Sequence, residues 1–308
     1  MVLITNATGF VGRALVHRLV ANGRKVCCLL QPSQREQRLP TGISFSNVLA
    51  SMRDLPALRS AMQDVTAVVH LGWRIDGSRE RRIEDVANLV EATRETGVRR
   101  FVYLSRLGAD RTSAYPVFRL SGEVEAVVRE SGLDTTILRT TIPYGPEEDM
   151  FINVLAMLAK AIPVVFPIPA LGRSRFQPLW VMDLARCIAD TLERDDLIEQ
   201  TVSIGGPEHF TFEQLVMQIL AAIGVRRRLV RVRMTWIQSA ILLGDVLLPR
   251  PPTPPWWLDL LAVGSAADLT TVQRHFDFEP RCFAEGLDYM SHKRSWRRDL
   301  ARFVLRLG

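Results

Sequence analysis

The sequence contains few cysteines and lacks a long uncharged apolar run. Its four cysteines are Cys27, Cys28, Cys187 and Cys282, and their spacing does not resemble that of a metal site. We therefore predict buried, reduced thiols and no bound metal. No uncharged apolar stretch reaches the length that a membrane-spanning helix needs. These absences argue against a zinc module, a disulfide framework and an integral membrane protein.

Positive charge is concentrated near the end of the chain. The formal net charge is +6 at pH 7, and residues 290–308 contain six Lys/Arg and one acidic residue. The rest of the chain is therefore close to neutral. Within 290–308, the apolar residues that share one helical face are Trp296, Leu300, Phe303, Val304 and Leu307. Such a basic amphipathic tail helix binds an anionic membrane surface or a membrane-protein complex, or else covers apolar surface of its own chain.

A second basic stretch, residues 226–233, alternates arginine with apolar residues after its first positions. This pattern predicts an edge strand whose charges discourage pairing with another chain. A nucleic-acid site would need interleaved aromatic side chains or a reading motif, and the stretch has neither. We therefore expect no nucleic-acid partner.

Length and composition are those of an ordinary globular protein. The chain has 308 residues, enough for one large domain with an appendage, and 47% of them are hydrophobic. The first predicted strand begins at Val2, so we expect no signal peptide before the fold. Together with the buried thiols, this favours a cytoplasmic protein that becomes peripheral at a membrane if the tail binds one.

The first dozen residues predict an anion-binding site. A short apolar run from Val2 to Thr5 leads into a turn, and then into a helical pattern in which Val11, Leu15 and Leu19 share one face. Backbone N–H groups at a helix N-terminus point outward, and the helix dipole favours a phosphate there. A strand, a turn and a helix start in this order are therefore suited to a nucleotide.

The glycines of this turn carry the first family resemblance. Gly9 would let the backbone approach a pyrophosphate, and Gly12 would let the helix pack on the strand. The spacing resembles the T-G-x-x-G-x-x-G turn of extended and atypical short-chain dehydrogenase/reductases, with Asn6 in place of the first glycine. Since Asn tolerates positive φ, we expect the turn to be retained. The alternative is a tight turn that holds no ligand.

Strand and helix patterns alternate regularly through the first half of the chain. Apolar runs predict strands at 25–30, 43–45, 67–72, 100–105 and 135–139, with amphipathic helices between them. This alternation predicts the α/β class, with a Rossmann-type doubly wound parallel sheet and a small C-terminal α/β lobe. Along the chain, we assign 1–206 to an NAD(P)-binding Rossmann domain that shares segments with the small lobe, 207–289 to that lobe, and 290–308 to the tail helix.

Two longer segments narrow the resemblance. Residues 101–110 resemble the F-V-Y-x-S-x-L-G-A segment of one atypical subgroup, and residues 173–185 resemble its G-x-x-x-F-Q-P-x-W-V-x-D-V-A block. That subgroup contains the NAD(P)-binding accessory subunit of respiratory complex I and its bacterial relatives. The resemblance extends over about residues 1–206 and is weaker beyond them. It implies a dinucleotide as ligand.

The choice of dinucleotide depends on the residues after the second strand. An acid there would hold the ribose hydroxyls of NAD, whereas a nearby Arg would hold the extra phosphate of NADP. Gln31 follows the strand, no acid does, and Arg35 and Arg13 are within reach. This favours NADP(H) over NAD(H), unless these arginines are merely solvated.

The resemblance extends the predicted cofactor site beyond the turn. Gly72 would lie over the cofactor at the carboxyl end of its strand, where His70 is expected to be a packed residue. Residues 141–146 resemble the loop that folds over the nicotinamide in relatives. The full predicted cofactor set is Thr5, Asn6, Thr8, Gly9, Phe10, Val11, Gly12, Arg13, Gln31, Arg35, Val48, Leu71, Gly72, Leu104, Ser105, Ile142, Pro143 and Tyr144.

The catalytic Tyr-x-x-x-Lys pair of active family members is missing. Active members use the Tyr for proton transfer and the Lys to lower its pKa. In the register set by Gly122 and Glu123, the Tyr position is Val117 and the Lys position is Ser121. Ser105 could still supply the third, hydroxyl group of such a site.

A second register pairs Tyr115 with Arg119. An arginine could polarise the phenol but could not relay a proton as lysine does. Because Pro116 follows Tyr115, the tyrosine is expected at the helix entrance rather than within the helix. The catalytic candidates are therefore Ser105, Tyr115 and Arg119, beside the alternative that this helix only packs on the sheet.

Three functions remain open from the sequence. The first is an NADP(H)-binding, non-catalytic or weakly catalytic accessory subunit associated with a membrane complex of respiratory or photosynthetic electron transfer. The second is an active NADPH-dependent reductase or epimerase that acts on a small or lipophilic substrate. The third is a regulator that senses the cofactor.

Overall fold

The computed structural model describes residues 1–32, 39–72, 79–148, 150–170, 174–248, 251–291, 300–301 and 304. Its strands are β1 Val2–Thr5, β2 Val26–Leu30, β3 Ser46–Leu49, β4 Ala67–Leu71, β5 Arg100–Arg106, β6 Asp134–Thr140, β7 Ile142–Tyr144, β8 Val165–Pro169, β9 Arg175–Phe176, β10 Pro178–Trp180, β11 Thr201–Ile204, β12 Phe210–Thr211 and β13 Arg228–Val232. Its α-helices are α1 Phe10–Ala21, α2 Leu55–Ala61, α3 Arg79–Glu95, α4 Pro116–Arg129, α5 Ile152–Ala161, α6 Val181–Thr191, α7 Phe212–Ala222, α8 Met234–Leu247, α9 Trp256–Val263, α10 Thr271–Phe276, α11 Phe283–Gly286 and α12 Asp288–Ser291.

Seven of the described strands form one parallel sheet, in the order β11-β6-β5-β4-β1-β2-β3. Strands β1 and β4 are buried along their whole length, since a parallel sheet with helices on both faces hides both sides of its strands. The strand order reverses at β1, so the chain crosses over both faces of the sheet. This confirms the predicted Rossmann-type doubly wound fold.

The predicted third strand is displaced in the structure. The apolar residues Ile43 and Phe45 suggested a strand at 43–45, but β3 spans Ser46–Leu49 and is largely exposed. It is the last strand of the sheet, paired with β2 alone. An edge strand with polar side chains lacks the apolar pattern on which the prediction depended, so that prediction is wrong by three residues.

The chain groups into two compact units. The first combines Met1–Thr140, Val181–Ile204 and Thr271–Phe278, and it contains the whole seven-stranded sheet. The second combines Thr141–Trp180, Gly205–Thr270 and Glu279–Gly308. The division at 206 and 289 was drawn along the sequence, whereas each unit joins separated segments, so that linear division stays a prediction.

The second unit is built on short parallel and antiparallel strand pairs, β7 with β10, β8 with β13 and β9 with β12. Its core is aromatic, and Phe151 packs on Phe176, Phe212 and Trp257. Helix α7 begins as predicted at the N-cap Thr211, whose hydroxyl accepts from the backbone of Gln214 at 3.2 Å.

Most of the predicted tail helix lies outside the described residues. This applies to Trp296, Phe303 and Leu307 and to the arginines of the tail. Of the predicted apolar face, Leu300 packs against the core of the second unit, and Val304 is half-buried. Among the described helices, none is long and apolar enough to cross a bilayer.

A candidate dinucleotide cleft

The turn after β1 adopts the conformation that its first residue was expected to allow. Asn6 has a φ of 55°, in the left-handed region that Gly and Asn enter most readily. Its side-chain amide donates to the carbonyl of Leu71 at 2.7 Å, which ties the turn to the end of β4. The backbone of Gly9 in turn donates to the carbonyl of Asn6 at 3.1 Å. Asparagine therefore replaces glycine here and adds a tether between neighbouring strands.

The two glycines of the turn have different structural roles. A Cβ on Gly12 would lie 2.5 Å from the Asn6 carbonyl oxygen and 2.6 Å from the Ala7 Cα, so helix α1 packs directly on the turn. A Cβ on Gly9 would meet the same oxygen at 3.2 Å, and its φ of −71° suits any residue. The turn therefore requires Gly12 for packing, whereas Gly9 leaves the backbone open to an approaching ligand.

Helix α1 presents its N-terminus at this turn. It begins at Phe10, and its N-cap Gly9 supplies no side chain to occupy the first N–H groups. The Arg13 guanidinium bends back and donates to the carbonyl of Thr8 at 2.8 Å. A cation and the positive end of the helix dipole thus meet at one place.

A cleft of about 230 Å³ opens at the carboxyl ends of the central strands in the first unit. In an open parallel sheet this is the edge at which ligands bind. Three predicted cofactor residues, Asn6, Gln31 and Gly72, line it. The residues that complete its lining are Met52, His70, Arg82, Asp85, Val86, Tyr103, Arg106, Val117, Leu120, Ser121 and Val124.

The floor of the cleft is closely packed. A Cβ on Gly72 would lie 2.5 Å from the ring of Tyr103, so glycine is required where β4 ends. The rings of Tyr103 and His70 stack with centroids 5.5 Å apart. His70 Nδ1 and the Thr5 hydroxyl share a 2.7 Å hydrogen bond, and burial lowers the pKa of this imidazole to about 4. His70 is thus a neutral, packed strand residue.

Positive charge inside the cleft was not predicted from the sequence. Arg106, the last residue of β5, lines the cleft although it is buried, and burial lowers the pKa of its guanidinium to about 10. It remains charged at neutral pH, near Arg82 of α3, with Asp85 on the same wall. The sequence does place an arginine directly after Ser105, at the end of a predicted strand. A charged residue at a strand end is usually exposed, so this position did not indicate a residue of the cleft.

The Ser105 hydroxyl belongs to a buried ion-pair network. It donates to Glu125 at 2.6 Å, and the Glu125 carboxylate is completely buried. Arg139 donates to both oxygens of this carboxylate, at 2.8 Å and 2.6 Å, and Arg129 adds a third donor at 2.7 Å. The network joins β5, α4 and β6, and the Ser105 hydroxyl is one of its donors.

Helix α4 brings two side chains without acid–base function to the cleft. Val117 and Ser121 both line it, and the Ser121 hydroxyl donates to the Val117 carbonyl at 2.9 Å. These are the Tyr and Lys positions in the register set by Gly122 and Glu123. The sequence contains no lysine between Lys25 and Lys160, so no residue of α4 could replace the missing one.

The alternative catalytic pair is placed differently. Tyr115 is the N-cap of α4, and its ring packs edge-on against Phe118. The Arg119 guanidinium lies 3.4 Å from the carbonyl of Ser113. Neither Tyr115 nor Arg119 is among the residues that line the described cleft.

The remaining predicted residues have varied surroundings. Leu71 and Leu104 are buried at neighbouring strand ends, Val11 is buried in α1, and Val48 is half-buried in β3. Tyr144 of β7 lies in the core of the second unit against Trp180 and Phe283, after Ile142 and Pro143 of the same strand. Arg35 lies outside the described residues.

The thiols are free, and most of them are buried. Cys27, Cys28 and Cys187 are buried, and burial raises the pKa of Cys28 to about 12. Cys282 is exposed, so the prediction of four buried thiols is wrong for this residue, which lies at the N-cap of the short helix α11. Across the residues that the structure describes, no group of three or more His, Cys, Asp or Glu could hold a metal ion.

The sequence is similar to a protein family model and to known proteins. Residues 7–150 match the NAD(P)H-binding family model. The chain is 27% identical over 226 residues to the mitochondrial NADH dehydrogenase [ubiquinone] 1 alpha subcomplex subunit 9 of Arabidopsis thaliana, which covers 69% of this chain and 55% of that protein. The rat protein of the same name is 28% identical over 226 residues, covering 70% and 59%. The chain therefore spans less than two thirds of the length of these relatives.

The fold also matches solved structures. The NADPH-dependent quinone oxidoreductase of Escherichia coli, solved in complex with NADPH, superposes with a TM-score of 0.77 over 94% of this chain and 99% of that chain. Its sequence identity to this chain is 21%, so the likeness shows the fold. Taken together, these similarities show that residues 7–150 carry an NAD(P)H-binding domain and that the chain is related to the alpha subcomplex subunit 9 proteins of mitochondrial NADH dehydrogenase.

Proposed function

We propose that the chain holds NADP(H) at the turn from Asn6 to Gly12 and does not turn it over at a useful rate. The observation that carries this proposal is the cleft itself. The turn after β1 has the open helix N-terminus and the close-packed glycine of a dinucleotide site, and its first residue, Asn6, lines the cleft. Val117 and Ser121 line the same cleft at the positions of the catalytic pair. The residues present fit the binding of a dinucleotide and lack the Tyr and Lys that active family members use for proton transfer.

The preference for NADP(H) over NAD(H) is supported by charge. Gln31 lines the cleft where an acid would hold the NAD ribose, and Arg13 is already turned toward the phosphate-binding turn. Arg82 and Arg106 add positive charge to the same cleft. The extra phosphate of NADP(H) would bind more strongly beside these cations, since charge-assisted hydrogen bonds are stronger than neutral ones.

Calorimetry with both cofactors tests the proposed preference. We expect NADPH to bind more tightly than NADH, and Arg13→Ala to weaken NADPH binding about tenfold while changing NADH binding little. Arg24→Ala is the matched control, because Arg24 is an exposed arginine beyond the other end of α1 that pairs with Glu193. Equal affinity for the two cofactors would refute the preference, and binding of neither would refute the site.

We further propose that the chain serves as an accessory subunit at a membrane complex of electron transfer. Support comes from the sequence relatives, which are named as subunits of NADH dehydrogenase. The basic residues 290–308 are the part proposed from the sequence to attach the otherwise cytoplasmic chain at the membrane. Affinity purification of the full chain tests this, and recovery without any membrane-complex subunit would contradict it.

The second candidate is an active NADPH-dependent reductase, with Tyr115 as proton donor. It is favoured by the partial exposure of Tyr115 and its spacing of four residues from Arg119. Rapid NADPH consumption with a quinone or carbonyl compound, lost in Tyr115→Phe, would establish this function in place of the first.

A further inference from the structure

Helix α8 of the second unit is apolar on two opposite faces. One face, formed by Met234, Ile237 and Ile241, packs against the core of that unit. The outward side carries large apolar residues that are strongly exposed: Trp236 71%, Leu242 45%, Leu243 59%, Val246 82% and Leu247 67%. A soluble helix normally presents polar or charged side chains there, so this face requires an explanation.

The outward face is continuous and uncharged. At 100° per residue, Trp236, Leu243, Val246 and Leu247 fall within one half of the helix circumference, together with small or weakly polar residues such as Ser239. The single charged residue of α8 is Asp245. The helix has 14 residues, about 21 Å at 1.5 Å per residue, so it is too short to cross a bilayer but long enough to lie on one.

Strong positive charge precedes this face directly. The segment 226–233, which comprises the end of the preceding loop, strand β13 and the N-cap of α8, carries the exposed arginines Arg226, Arg228, Arg231 and Arg233. Arg231 pairs with Glu213 at 2.7 Å, and Arg233 lies directly at the N-terminal end of α8. Residues 226–247 contain five arginines and one acid, and the N-terminal end of the helix dipole adds to the same sign. The charge of the segment that leads into α8 is therefore complementary to an anionic surface.

We infer that α8 is an interfacial helix that inserts its outward face into an anionic lipid surface. An apolar helix face together with a cationic segment is the composition of helices that lie at the boundary between headgroups and acyl chains. Trp236 would lie at the headgroup level near the arginines, with Leu243 and Val246 deeper. This surface takes no residue from the dinucleotide cleft, so it is independent of cofactor binding.

Vesicle sedimentation of the full chain tests the inference. Vesicles with anionic phosphatidylserine are expected to bind the chain, and neutral phosphatidylcholine vesicles to bind it at least about tenfold less. The double variant Leu243→Asp with Val246→Asp should lose about tenfold or more in partitioning. Met217→Glu, at an exposed apolar position of α7, is the matched control and should bind as the parent does. Neutralising Arg226, Arg228 and Arg233 to Gln should cost about fivefold each at low salt.

Tryptophan quenching locates the contact. Brominated lipids should quench part of the fluorescence of the parent, and this part should disappear in Trp236→Phe.

A full-length variant with Lys293, Arg294, Arg297 and Arg298 changed to Gln distinguishes α8 from the tail. If that variant loses vesicle binding while the α8 double variant keeps it, the inference is wrong. It is also wrong if the parent ignores anionic vesicles but forms dimers that the α8 variant cannot form. NADPH affinity should be the same in all variants, which separates this test from that of the proposed function.

Discussion

At the scale of single residues, the two glycines of the turn after β1 have different roles, and each role can be tested by a substitution. Gly9→Val is expected to remove NADPH binding, because its side chain would occupy the approach to the backbone N–H groups. It should lower the free energy of unfolding by about 1 kcal/mol, since its φ is ordinary and the added Cβ would make one tight contact, at 3.2 Å from the Asn6 carbonyl oxygen. Calorimetry and urea unfolding measure the two effects.

Gly12→Ala provides the contrasting variant. Its Cβ would lie 2.5 Å from a backbone oxygen of the turn, so we expect a loss of about 1–3 kcal/mol in unfolding free energy as well as weaker NADPH binding. If Gly12→Ala is as stable as the parent, or if Gly9→Val still binds NADPH, the description of the turn is incorrect.

His70 predicts a pH dependence of stability. Burial lowers its pKa to about 4 in the folded chain, whereas the unfolded value is near 6.5. The unfolded chain therefore binds more protons between these two values, and the free energy of unfolding falls as pH drops from 6.5 toward 4. The full difference corresponds to about 3 kcal/mol.

Urea unfolding at several pH values from 4 to 7.5 measures this contribution. His70→Asn keeps a polar partner for the Thr5 hydroxyl but does not titrate, so the difference between parent and variant isolates the histidine. A parallel pH dependence in both proteins would show that other groups cause the acid sensitivity.

At the scale of elements, the contact of β5, α4 and β6 depends on one buried carboxylate. Glu125→Ala would leave Arg139 without its two charge-assisted bonds, and we expect a loss of about 3–5 kcal/mol in unfolding free energy. Arg129→Ala is the control, because Arg129 is a more exposed partner of the same carboxylate and should cost at most about 1 kcal/mol. Similar losses in the two variants would contradict a central role for Glu125.

The elements also show which sequence signals are sufficient. Buried central strands such as β1 and β4 have continuous apolar sequences because helices cover both of their faces. These two strands were therefore predicted correctly. Strand β3 was displaced because an edge strand carries few buried side chains. The N-cap at Thr211 was predictable since its cap is made by local side-chain and backbone bonds.

At the scale of the whole molecule, the sequence predicted the fold from alternation and the candidate cleft from one turn. It did not predict the positive charge in the cleft, because the burial of Arg106 depends on the packing of β5 against distant elements. It predicted Ser105 as a hydroxyl donor, but not the bond to Glu125, which lies 20 residues away. Nor could the sequence show the two units, since each is assembled from segments far apart in the chain. Long-range contacts of this kind leave no local pattern.

The most direct test is the fate of bound NADPH. One equivalent is added to the full chain, binding is verified by co-elution, and a panel of quinones and carbonyl compounds is then supplied while the absorbance of the reduced nicotinamide is followed. The account predicts that NADPH stays bound and reduced, because Val117 and Ser121 supply no proton donor beside the cleft. Rapid oxidation of the bound NADPH by any member of the panel would contradict it.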